Sequence, residues 1–121
     1  MVAQLLLSAS LGLVTMSFND AKALADKQEA ALSSAQTEEF QALELEVARP
    51  IFIACTPSPR PERLPDFTIV MTLDASGKVQ NTLLQGGGKF AKCVESKLAA
   101  ATLFKPPSAP FYTSLEHVFE P

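Results

Sequence analysis

Phe67-Thr68-Ile69-Val70-Met71-Thr72-Leu73-Asp74-Ala75-Ser76-Gly77-Lys78-Val79 is the stretch that decides the fold. Phe67, Ile69, Met71 and Leu73 alternate with Thr68, Val70 and Thr72, the period of two that sends successive side chains to opposite faces of a strand. Asp74 to Gly77 then reads as a turn. An Asp side chain accepts hydrogen bonds from backbone N–H groups just ahead of it, and Gly takes a positive φ without steric cost. Lys78 to Gln85 returns as a second strand, more polar than the first and suited to the edge of a sheet. The reading is an antiparallel hairpin.

Further along the chain, Gly86-Gly87-Gly88 breaks the ladder as a hinge. Lys89 follows the glycines, but the stretch is no Walker loop, because Leu83 and Phe90 stand where Gly and Ser or Thr belong. Phe90, Cys93, Val94, Leu98 and Ala101 then recur at helical spacing, predicting a helix that Lys105-Pro106-Pro107 stops. Phe111 to Phe119 reads as a last strand, with Phe111, Leu115 and Phe119 on one face together with Thr113 and His117.

Before the hairpin, Thr37-Glu38-Glu39-Phe40 places an N-cap residue ahead of two acids, and Phe40, Leu43 and Val47 form one apolar stripe. Pro50 is expected to end or kink this helix near Ala48. Ile51-Phe52-Ile53-Ala54-Cys55 fits either a further helical turn or a buried strand. Thr56 to Pro65, with alternating prolines, reads as a stiff extended connector. The expected fold is α+β: one domain over residues 37–121, in the order α-β-β-α-β, with a small antiparallel sheet and helices on one face.

The N-terminus bears on the compartment. An apolar run opens at Leu5-Leu6-Leu7 and passes Leu11, Leu13, Val14 and Met16 to Phe18. It is shorter than the roughly 20 residues that span a bilayer, so no stable transmembrane anchor is expected. Ala23-Leu24-Ala25 supplies the small-x-small pattern of a signal-peptidase site, although no Lys or Arg precedes the run. Residues 1–25 therefore read as a signal peptide cut near Ala25, placing the protein in the periplasm or outside the cell. The alternative is a cytosolic amphipathic or buried helix. Residues 26–36 read as a flexible acidic lead-in.

Composition narrows the function. The 121 residues carry a formal net charge of −3, which argues against a nucleic-acid partner, since phosphates call for a basic surface. With no Trp and one Tyr there is little aromatic material for stacking bases or sugars. One His and two Cys, widely spaced, make a poor zinc set, and no cofactor is expected. His117 is the sole imidazole, and its spacing to Cys55, Cys93 or any Ser carries no catalytic motif. The inventory points to a protein that is not an enzyme.

In an oxidising compartment the two cysteines allow one intramolecular pairing, Cys55 with Cys93. It would close a loop of roughly 40 residues, worth about 4 kcal/mol in the chain-entropy model. The alternative is two buried free thiols.

These residues, taken in order, resemble the TonB C-terminal-like domains of the AgmX/PglI type, found in periplasmic and cell-envelope proteins. Cys55 closes the first helix, and Phe67, Ile69, Met71 and Leu73 lead into Asp74-Ala75-Ser76-Gly77-Lys78-Val79, which looks like the family's Asp-x-x-Gly-x-Val turn. Cys93-Val94-Glu95, Phe104-Lys105-Pro106-Pro107 and Val118-Phe119-Glu120-Pro121 complete the pattern over about residues 52–121. Thr102-Leu103-Phe104-Lys105 departs from the family's Trp-x-Phe-Pro, and Pro65-Asp66 from a common Gly. The resemblance implies a binding module for an envelope protein, acting through a sheet edge or a helix face.

On that reading the candidate partner-binding residues are Lys78, Gln80 and Thr82 on the second strand and Tyr112, Ser114 and Glu116 on the last. A strand with polar side chains stays soluble at an edge while offering its backbone to an incoming chain. The rival reading is an inhibitor or immunity-like protein that blocks an enzyme or toxin with its Pro-rich loop.

Overall fold

The computed structural model describes residues 16–59 and 63–118. The chain forms α1 (Phe18–Ala30), α2 (Ser34–Cys55), β1 (Phe67–Leu73), β2 (Val79–Gly86), α3 (Lys89–Leu98) and β3 (Phe111–His117). The strands make one antiparallel sheet in the order β2-β1-β3. From α2 onward the order is the expected α-β-β-α-β. The apolar run from Leu5 to Val14, and Phe119 with the end of the chain, lie outside the described residues.

The hairpin forms as its residues dictate. Asp74 Oδ1 accepts from the Ser76 and Lys78 amides and the Ser76 hydroxyl, while Gly77 N–H donates to the Asp74 carbonyl. The Ser76 hydroxyl bond leads these contacts in holding the Asp74 carboxyl below its ordinary pKa. Gly77 is obligatory: its φ is +90°, and a Cβ there would sit 2.1 Å from the Phe104 carbonyl oxygen. The register shifts at Thr72/Leu73, so Leu73 faces Val79 and Gln80 is the extra residue.

Phe67, Ile69, Met71 and Leu73 face α2 and α3 and pack with Phe40, Phe90, Val94, Leu98, Leu103 and Phe104 into the main core. Both helices of the expected order therefore cover one face. A further helix, α1, covers part of the other, burying Ala21 and Ala25 against Val70 beside Phe18, Leu83 and Tyr112.

Four local differences from the sequence reading have physical causes. Residues 26–36 are not a flexible lead-in: Asp26–Ala30 completes α1, and α2 is capped at Ser33. There Ser33 Oγ accepts from Gln36 N and the Gln36 side chain accepts from Ser33 N, a reciprocal capping box. That box starts the helix ahead of the expected cap at Thr37. Pro50 does not end α2, which continues to Cys55. Pro50 has no N–H for the Glu46 carbonyl, but the following turn is held by Phe52 against Phe67 and Phe90 and by the disulfide of Cys55. Finally, α3 stops at Leu98 rather than running on towards Lys105. Beyond it the chain pairs with the hairpin, Val79 N–H donating to Ala101 O and Leu103 N–H to Gly77 O, which carries Leu103 and Phe104 into the core.

Cys55 and Cys93 are disulfide-bonded, with Cα atoms 5.8 Å apart. The bond joins the end of α2 to the middle of α3. No helix among the described residues is long and apolar enough to cross a membrane.

Candidate functional site: the two sheet edges

A three-stranded sheet has two outer edges, and here they belong to β2 and β3. The six candidate residues divide evenly between them, with β1 in between, so they do not form a single site. In an antiparallel ladder alternate residues turn their N–H and C=O groups towards one neighbour and then away from it. Tyr112 N–H and Ser114 N–H of β3 turn outward, to side chains of α1. The registers then direct Thr68, Val70 and Thr72 of β1 towards Asn81, Leu83 and Gln85 of β2. Thr82 and Leu84 consequently turn their backbone groups away from the sheet.

The β3 edge is closed. Gln28 Oε1 accepts from Tyr112 N–H; Glu29 Oε2 accepts from Ser114 N–H at 3.1 Å and from the Thr113 hydroxyl at 2.6 Å. Glu116, the third candidate on this strand, pairs with Lys22 of α1 at 3.0 Å. Lys22 also pairs with Asp26, and these two partners raise its pKa.

The β2 edge is occupied only at its start. Lys78 forms an isolated bridge with Thr102, Val79 N–H is taken by Ala101, and the Gln80 amide reaches Asp74. From Thr82 onward no hydrogen-bonding group among the described residues meets the outward backbone groups of Thr82 and Leu84. The Thr82 hydroxyl donates to Glu95 of α3 at 3.0 Å, which fixes the side chain and leaves the backbone presented. Leu84 was not among the sequence candidates, because its importance depends on register rather than on residue type.

Two of the hollows along the sheet border β3 and α2. One, of about 290 Å³, lies between α1, α2 and β3 and is lined by Lys22, Asp26, Glu29, Phe40, Glu44 and Glu116. Burial, reinforced by Glu29, pushes the Glu44 carboxyl up to about 7. The other, of about 510 Å³, is a mainly apolar groove between α2 and the end of β3, lined by Leu45, Phe52, Ile53, Leu115 and His117. Ile53 is 71% exposed and Leu45 54%, and both line this groove from one helix.

His117 is built into the fold. It stacks on Phe52 with ring centroids 5.1 Å apart and meets Phe67 edge-on. Burial lowers its pKa, and Asp66 opposes that shift. In the Pro-rich connector, of which residues 60–62 lie outside the described residues, Leu64 is buried in the main core and ties the segment down.

Compared with protein-family models, curated proteins and solved structures, the chain matches none of them.

Proposed function

We propose that this protein is a non-enzymatic interaction module of the cell envelope that binds an extended segment of a protein partner along the outer edge of β2. The observation that carries this reading is the contrast between the edges: α1 side chains take the outward amides of Tyr112 and Ser114 on β3, while those of Thr82 and Leu84 face no partner among the described residues. An incoming strand gains main-chain hydrogen bonds at such an edge, and its side chains supply the specificity. The Cys55–Cys93 disulfide supports an oxidising compartment, periplasmic or extracellular. The TonB C-terminal-like resemblance supports the same setting and a binding role.

A pair of variants tests the edge against a partner captured from envelope extract with the wild-type chain. Thr82→Pro removes the outward N–H, whereas Thr82→Val keeps it and loses only the hydroxyl. The proposal expects at least a tenfold loss of affinity in folded Thr82→Pro and near wild-type binding in Thr82→Val. Unchanged affinity in Thr82→Pro would sink the β2 reading.

A second reading, docking on a helix face, is favoured by the groove at Leu45, Phe52 and Ile53. It predicts that Ile53→Asp abolishes capture while Thr82→Pro leaves it intact.

Export remains part of the proposal, but cleavage near Ala25 conflicts with the α1-covered β3 edge on which the contrast rests. Such a cut would fall inside α1 and remove Phe18–Ala25, including both alanines buried on Val70. N-terminal sequencing of the exported protein decides between them: a chain that begins at Asp26 has lost the α1 cover of β3, and one that retains Phe18 keeps it and overturns the cut.

A further inference from the structure

The hydrogen bonds between α1 and β3 have the pattern of an added strand without being one. Tyr112 and Ser114 are alternate residues, so their outward amides lie roughly 7 Å apart, the spacing at which a neighbouring strand presents its carbonyls. Gln28 Oε1 and Glu29 Oε2 occupy those two acceptor positions from consecutive residues of a helix. Lys22, two helical turns earlier, pairs with the side chain of Glu116 two residues further along the strand. Three α1 side chains thus serve the β3 edge in sequence.

Besides these bonds, α1 is held by one small cluster separate from the main core, Ala21 and Ala25 against Val70 with Phe18 beside Leu83 and Tyr112. Its fully buried side chains are Ala21 and Ala25, which bring little apolar area to the sheet. The rest of the fold is anchored differently, with Phe40, Phe90, Val94 and Leu98 in the main core and a disulfide between α2 and α3. The connection also permits separation. Only Ala31, Leu32 and Ser33 lie between the helices, and α2 has its own capping box at Ser33 and Gln36, so its N-terminus needs nothing from α1. Leu32 packs on the main core and marks where the anchored part of the chain begins.

We propose that α1 is a releasable latch: Gln28, Glu29 and Lys22 hold the outer edge of β3 closed against strand addition, and α1 detaches as a unit while α2 to β3 stays folded. This rests on the reading that a sheet edge is the binding surface, and it adds regulation. Among the described residues nothing pairs with the β2 edge at Thr82 and Leu84, and the β3 edge becomes available only when α1 leaves. Cleavage near Ala25 would act in the same direction, because the residues left from Asp26 to Ala30 are too few to persist as a helix by themselves.

Native-state amide hydrogen exchange on the full chain tests the latch, since a unit that opens together exchanges together. Tyr112 and Ser114 are expected to exchange at a rate shared with Ala25 and Gln28 and at least 100-fold faster than Ile69 and Met71. In the double variant Gln28→Ala with Glu29→Ala, the Tyr112 and Ser114 amides are expected to speed up at least tenfold while Ile69 and Met71 are unchanged. Thr82→Pro is expected to leave the Tyr112 and Ser114 rates alone, so failure of the β2 reading and failure of the latch are distinguishable. Exchange of Tyr112 and Ser114 only at the rate of Ile69 and Met71, or no acceleration in the double variant, would overturn the proposal.

Discussion

Phe40 and Phe104 lie ring on ring, with centroids 4.1 Å apart and planes only 6° from parallel. Phe40 comes from the second turn of α2, and Phe104 from the irregular segment after α3, which also meets Phe111 of β3 edge-on. The stack therefore ties the first anchored helix to the segment that departs most from helical expectation.

Removing one ring measures that role. Phe40→Ala is expected to lower the free energy of unfolding by about 3–5 kcal/mol, as for other large-to-small changes at buried aromatic sites. Urea unfolding followed by circular dichroism checks it. A loss below about 1 kcal/mol would show that the stack is peripheral.

The disulfide gives a second prediction. Cys55→Ser with Cys93→Ser is expected to cost about 2–5 kcal/mol, because the cross-link restrains the unfolded chain of a small domain. Peptide mapping without reductant should recover one Cys55–Cys93 crosslinked pair. Alkylation of both thiols in the native protein would contradict it.

Gly77 makes a third. Gly77→Ala places a methyl group against the Phe104 carbonyl at a positive φ, so it is expected to destabilise by about 2 kcal/mol or more. Thermal melts of the two proteins decide the matter; equal midpoints would mean that the turn relaxes freely.

Glu44 supplies a pH dependence. Its carboxyl titrates near 7 when folded, against an ordinary value of 4.5, because burial, and then Glu29, disfavour its charge. A raised acid pKa means that the folded state holds its proton more tightly. The protein is therefore favoured at this site below pH 4.5, and that advantage is lost as pH rises from 4.5 to about 7. Glu44→Gln is expected to recover about 1–3 kcal/mol at pH 8 relative to pH 5, read from urea midpoints. A wild-type and variant pair with parallel pH profiles would refute the assignment.

These residues show how far the sequence can be read. The hairpin was legible because the alternation from Phe67 to Leu73 and the Asp74–Gly77 turn are local signals. The end of α3 was not, since Ala99 to Thr102 contains no helix breaker and the termination comes from pairing with Gly77 and Val79. Ser33 and Gln36 did carry a legible cap, but the apparent Thr37 cap competed with it. In α1, Ala25 of the Ala23-Leu24-Ala25 pattern is a small residue that serves sheet packing as well as it would a signal-peptidase site, so composition alone does not separate the two uses. Both edge strands were legible as strands, and Lys78 to Gln85 as a polar one. Which of them is covered was not, because Gln28 and Tyr112 are 84 positions apart in the chain.

The central claim is that a partner adds along β2, and amide exchange on the complex tests it most directly. With the captured partner bound, the amides of Thr82 and Leu84 are expected to exchange at least tenfold more slowly than in the unbound chain. Unchanged rates at Thr82 and Leu84 in a saturated complex would contradict the claim.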